Sequence, residues 1–145
     1  MTDFQMGPLT LSVKSYADDV SEDFYEANWL VLDVKCPTDE GDVAFQSPCL
    51  MTTDIFDFMD EINDLLAGQG RQAYLVSLEP QVDVRIALGD GPDVFTLDVE
   101  LTPNVKDDED IYDAAAIVSR AEVEEMAKHA AALVAAFPVR GIEGS

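Results

Sequence analysis

"YEANWLVLDVKC", residues 25–36, decides the fold of this chain. It holds the only tryptophan, Trp29, between an acidic, sparsely apolar segment and a run of β-forming residues. From Trp29 the run is apolar on both faces and then alternates. That is the pattern of an interior strand covered on both sides. Trp29 therefore reads as a core or domain-edge anchor, mostly buried, rather than as a ligand platform. A fully buried indole removes ~200 Å² from water, an upper bound of ~5 kcal/mol.

On the N-terminal side, "LTLSVKSY" (9–16) sets Leu9, Leu11 and Val13 against Thr10, Ser12 and Lys14, the period of a half-buried strand. "ADDVSEDFYEAN" (17–28) reads as an acidic loop pinned by Val20 and Phe24. On the C-terminal side, a turn at "PTDEG" leads into a strand at 43–49, where Pro48 should end the pairing. In that hairpin Cys36 lies by the turn and Cys49 at the far end. About six residues at ~3.3 Å each separate them by roughly 20 Å, so two free thiols are expected.

"TTDIFDFMDEINDLLAGQG" reads as a helix over about 53–67. Thr52 or Thr53 can cap it, Asp54 suits its positive end, and Gly68 supplies the stop. Ile55, Phe58, Met59, Ile62, Leu65 and Leu66 form the buried stripe. Strands follow at 73–79, 82–88, 93–101 and about 112–118, the second and third joined by a turn at "GDGP" (89–92). Ser119 and Glu122 form a capping box that opens a second helix, about 120–136, closed by Pro138. Seven strands, two amphipathic helices and short links predict a single α+β domain over 1–145 with a mainly antiparallel sheet. No internal repeat stands out.

Of 145 residues, 48% are hydrophobic, enough for a core that buries about two-thirds of the unfolded chain's surface. No apolar run is long enough for a membrane span. "MTDFQMGPLT" has no basic region followed by an apolar one, so no signal peptide is read and a cytoplasmic location is expected. Thirty acidic residues against eight basic ones give a net charge of −22. Such a field repels nucleic acid and anionic membranes and attracts cationic partners. Solubility or salt adaptation accounts for the same composition unless the acids gather on one surface.

The inventory of reactive groups is thin. The single histidine, His129, is expected on the exposed side of the second helix, one turn after Glu125. There is no G-x-S-x-G and no phosphate-binding glycine loop. Cysteine and histidine are too few for structural zinc, and "DDED" (107–110) lacks the calcium-loop pattern. No catalytic, cofactor or metal site is therefore predicted. Among so many acids, a carboxylate pair for hydrolysis is uninformative.

"ANWL" at the head of a strand, "CLMTTDIFDFMDEI" at the first helix and a late helix ending "FPVRG" resemble the WapI-like immunity-protein family, from about residue 9 to residue 141. The resemblance implies a small cytoplasmic bacterial protein that protects against a contact-delivered or secreted toxin. It brings no site motif onto particular residues. The leading expectation is a non-enzymatic protein that neutralises a cationic toxin. The alternative is an acidic structural or adaptor domain whose charge serves solubility or salt tolerance. Two patches are candidates for the partner. The outward residues Asp83, Asp98 and Glu100 form one; Asp54, Asp57, Glu61 and Asp64, on the wet side of the first helix, form the other. A four-residue turn at 89–92 would place Asp83 opposite Asp98. A six-residue loop would place it opposite Glu100 and Arg85 opposite Asp98.

Overall fold

The structure, a computed structural model, describes residues 2–16, 28–76, 81–91, 93–103 and 111–138. The loop at 17–27 with Val20 and Phe24, residues 77–79 of the expected strand and the "DDED" segment lie outside the described residues. Strands β1 (Thr2–Met6), β2 (Leu9–Tyr16), β3 (Trp29–Thr38) and β4 (Gly41–Met51) lead into helix α1 (Thr52–Leu66). Strands β5 (Gln72–Val76), β6 (Val82–Leu88), β7 (Val94–Leu101) and β8 (Tyr112–Ser119) lead into α2 (Arg120–Ala136). The fold is α+β, but its eight described strands make two four-stranded antiparallel sheets, β1-β2-β3-β4 and β5-β6-β7-β8, not one seven-stranded sheet. Each half is the same meander followed by a helix, a repetition invisible in the sequence.

The strand absent from the sequence reading is β1. Phe4 and Met6 alternate with Asp3 and Gln5, and the pair Met6↔Leu9 closes a two-residue turn at Gly7-Pro8. Gly7 has φ 55°, and a Cβ there would lie 2.7 Å from Leu97 Cδ2, so the turn needs glycine for both conformation and space.

The helices are exchanged between the halves. Helix α1 packs chiefly on β5 and on α2, whereas α2 packs on β1. Phe4 of β1 sits at the junction, its ring 6.2 Å from Phe58 of α1 and 6.3 Å from His129 of α2. Arg120, at the start of α2, donates to the Leu66 carbonyl at the end of α1 at 2.5 Å. A guanidinium suits that negative helix end. Buried residues of both sheets and both helices form one core cluster.

Local signals account for the element ends. Ser119 and Glu122 make the expected capping box on α2. Gly68, at φ 78°, ends α1. At the other end, neither Thr52 nor Thr53 is the cap: Met51 holds that position, and Asp54 Oδ2 accepts from its backbone N–H at 2.8 Å. Thr52 is drawn into the core instead. Pro48 does not end β4, because the ladder shifts register between Leu32↔Ser47 and Leu30↔Leu50 and resumes to Trp29↔Met51. On this edge strand the bulge accommodates a residue that cannot donate.

Two side chains are placed differently from expectation. Trp29 is only partly buried and stands on the same parity as Asp33 and Lys35, while Leu30, Leu32, Val34 and Cys36 face the core. The second apolar face at the start of β3 thus stays at the periphery. His129 is not on an exposed side; it is partly buried, its ring edge-on to Phe4 and its Nδ1 buried without a hydrogen bond among the described residues.

Two outcomes follow. Phe4→Ala should cost about 3–5 kcal/mol in chemical denaturation, and Trp29→Ala less than about 3. Cys36 and Cys49 are free and buried, and burial pushes the Cys49 thiol up to about 12. A thiol reagent should therefore label neither in the native protein and both after unfolding, without prior reduction.

Candidate functional site

The outward face of the second sheet brings the first candidate patch together. Val82, Val84, Ile86, Leu97, Val99 and Leu101 turn inward, so strand alternation sends Asp83, Arg85, Asp98 and Glu100 outward. The observed register pairs Asp83 with Glu100 and Arg85 with Asp98, the six-residue-loop alternative. Strand β8 then adds Asp113 opposite Glu100 and Ala115 opposite Asp98. One row across the sheet reads Val76, Asp83, Glu100, Asp113; the next reads Tyr74, Arg85, Asp98, Ala115. Neighbours in a row stand roughly 5 Å apart at Cα.

Both rows line a shallow concavity of about 630 Å³, and Asp39, from the β3–β4 turn, joins its lining. Among the described residues, five carboxylates thus surround one cation, Arg85. The Arg85–Asp98 pair is 3.5 Å apart and half exposed, which makes it weak. Burial pushes the Asp83 carboxyl above its ordinary range, partly offset by Arg85. Like charges side by side on adjacent strands oppose folding by tenths of a kcal/mol. Tyr74 and Val76 leave apolar surface exposed among these groups.

The outward face of the first sheet differs. Asp33 there receives the Gln46 side-chain amide at 2.7 Å and pairs with Lys14 at 3.1 Å. Those two partners hold its carboxyl below the usual aspartate range. The α1 patch is dispersed in role. Asp54 caps the helix, and Glu61 Oε1 accepts the Tyr74 backbone N–H at 3.3 Å. Asp57 and Asp64 remain on the exposed side.

Asp113 and Asp39 escaped the sequence reading. The long link between β7 and β8 leaves the register of β8 undetermined, and Asp39 reaches the face only through the packing of one sheet beside the other. Among the described residues no cluster of metal-ligating side chains occurs, and no helix is long and apolar enough to cross a membrane.

The two shifted aspartates respond oppositely to pH. A raised folded-state pKa favours folding at low pH, and that contribution is lost as pH rises through it. Asp83→Asn should therefore leave stability at neutral pH unchanged or higher. A lowered pKa contributes above the unfolded value and is lost as pH falls through the folded one. Asp33→Asn should accordingly lower neutral-pH stability. Carboxyl NMR titration should find Asp83 titrating above, and Asp33 below, an ordinary aspartate.

No curated protein matches the chain. Among solved structures it is similar to a chain of one described as "Structure of a guideRNA-binding protein complex bound to a gRNA". The identity is 17%, the cover is 94% of this chain and 97% of that one, and the TM-score is 0.46, a level from which nothing about function follows. The model of the immunity protein WapI-like family matches residues 3–138. The chain belongs to the WapI-like immunity protein family.

Proposed function

We propose that this protein is a non-enzymatic immunity protein that acts in the cytoplasm by binding a basic toxin, such as a nuclease, and covering its active surface. The family match across residues 3–138 carries the reading. Support comes from the outward face of the second sheet, where, among the described residues, Asp83, Asp98, Glu100 and Asp113 stand against Arg85 alone. Cross-strand repulsion makes that arrangement unhelpful to folding, and a cationic partner would relieve it. A surface of one sign also accelerates encounter with its complement and rejects partners of like charge.

The test is to look for a large toxin-like reading frame immediately upstream of the gene and to co-express the protein with it. Growth should be rescued and a stable complex should purify. A double variant, Asp83→Asn with Glu100→Gln, should keep its fold while association slows by about tenfold at low salt. The wild-type rate should fall steeply with added salt. Failure of the wild type to rescue growth or to bind would leave the charge as an aid to solubility. Equal association rates for wild type and double variant across salt concentrations would remove Asp83 and Glu100 from the site.

A further inference from the structure

Among the described residues the two sheets have four edges, and three are guarded. Helix α1 lies against β5, where Glu61 takes up the Tyr74 N–H. Helix α2 lies against β1. Strand β4 carries Pro48 and a register shift, both of which spoil it as a template. Although β3 of the first sheet approaches it, strand β8 carries no proline and no register shift. It runs eight residues, Tyr112–Ser119, in unbroken register with β7 and without proline, glycine or lysine. Among the described residues, no backbone hydrogen bond outside the β7 ladder reaches 112–118. Three consecutive alanines, Ala114–Ala116, leave room for a second backbone, and Ile117 is 76% exposed.

We infer that β8 is a docking edge to which a basic, extended segment of the partner adds as a fifth strand. Charge complementarity chooses the occupant. The one charged residue on the edge is Asp113, and Glu100 and Asp83 continue its row inward. An incoming strand would set lysines or arginines on the outward face, in the row of Asp113, and apolar side chains on the inward face, in the rows of Ala114 and Ala116. Main-chain bonds would then supply affinity and the alternating side chains specificity. A second copy of this chain is a poor occupant, since it would bring another Asp113 and another net charge of −22. The inference rests on the proposed function only for the identity of the partner.

The probe is an eight-residue peptide of alternating lysine and valine, with a glutamate–valine peptide as its counterpart, followed by NMR and amide hydrogen exchange. The lysine peptide should shift the 112–119 amides and slow their exchange at least several-fold; the glutamate peptide should do neither. Placing lysines on the edge, Ala115→Lys with Ile117→Lys, should weaken peptide binding at least tenfold with the free protein's spectrum otherwise preserved. Three outcomes would overturn the inference: no change at β8, equal binding of both peptides, or concentration-dependent self-association through 112–119. Co-expression separates this from the broader reading. Loss of rescue by the wild type strikes the immunity role, whereas unimpaired rescue by the lysine variant strikes only the edge.

Discussion

Everything in this fold hangs on the grip of two exchanged helices on Phe4. Neither meander can cover its own apolar side. The first lends α1 to β5, the second lends α2 to β1, and the Phe4 ring lies between Phe58 and His129 where the helices meet. Arg120 ties the end of one helix to the start of the other. The halves share one core, and a loss on either side is felt on both.

The helices were legible in the sequence because their ends carry local chemistry: a capping box at Ser119 and Glu122, and a glycine at position 68 that adopts positive φ. Seven of the eight described strands were read from the sequence, several of them from alternation. The five residues of β1 were not, because two apolar positions, Phe4 and Met6, make too short a period to register. Alternation says which side of a strand is apolar and is silent on what covers it. Hence the division into two sheets was hidden, and Trp29, apolar in pattern, stands at the periphery. For the candidate site, the outward direction of Asp83, Asp98 and Glu100 could be read directly. The choice between two registers needed the structure, and so did Asp113, whose strand follows a long link.

The two outward sheet faces solve the same problem of charge differently. On the first, Lys14 and Gln46 converge on Asp33. On the second, carboxylates line up across three strands and, among the described residues, one arginine is left to face them. A protein selected only for solubility has no reason to treat the two faces unequally. Selection for a partner has one, because surplus charge in the free protein becomes complementarity in the complex.

The exchange of helices also dictates a schedule for synthesis. Strand β1 leaves the ribosome well before α2, yet the helix that shelters it is encoded more than a hundred residues later; the Tyr16 hydroxyl even donates to the Pro138 carbonyl across 122 positions. Until α2 emerges, Phe4 and Met6 have no permanent cover, and contacts of such long range close slowly. The nascent chain must wait, with an apolar strand in hand, for α2. Its heavy negative charge then has a use before any partner arrives, because growing chains that repel one another are slow to aggregate during that wait.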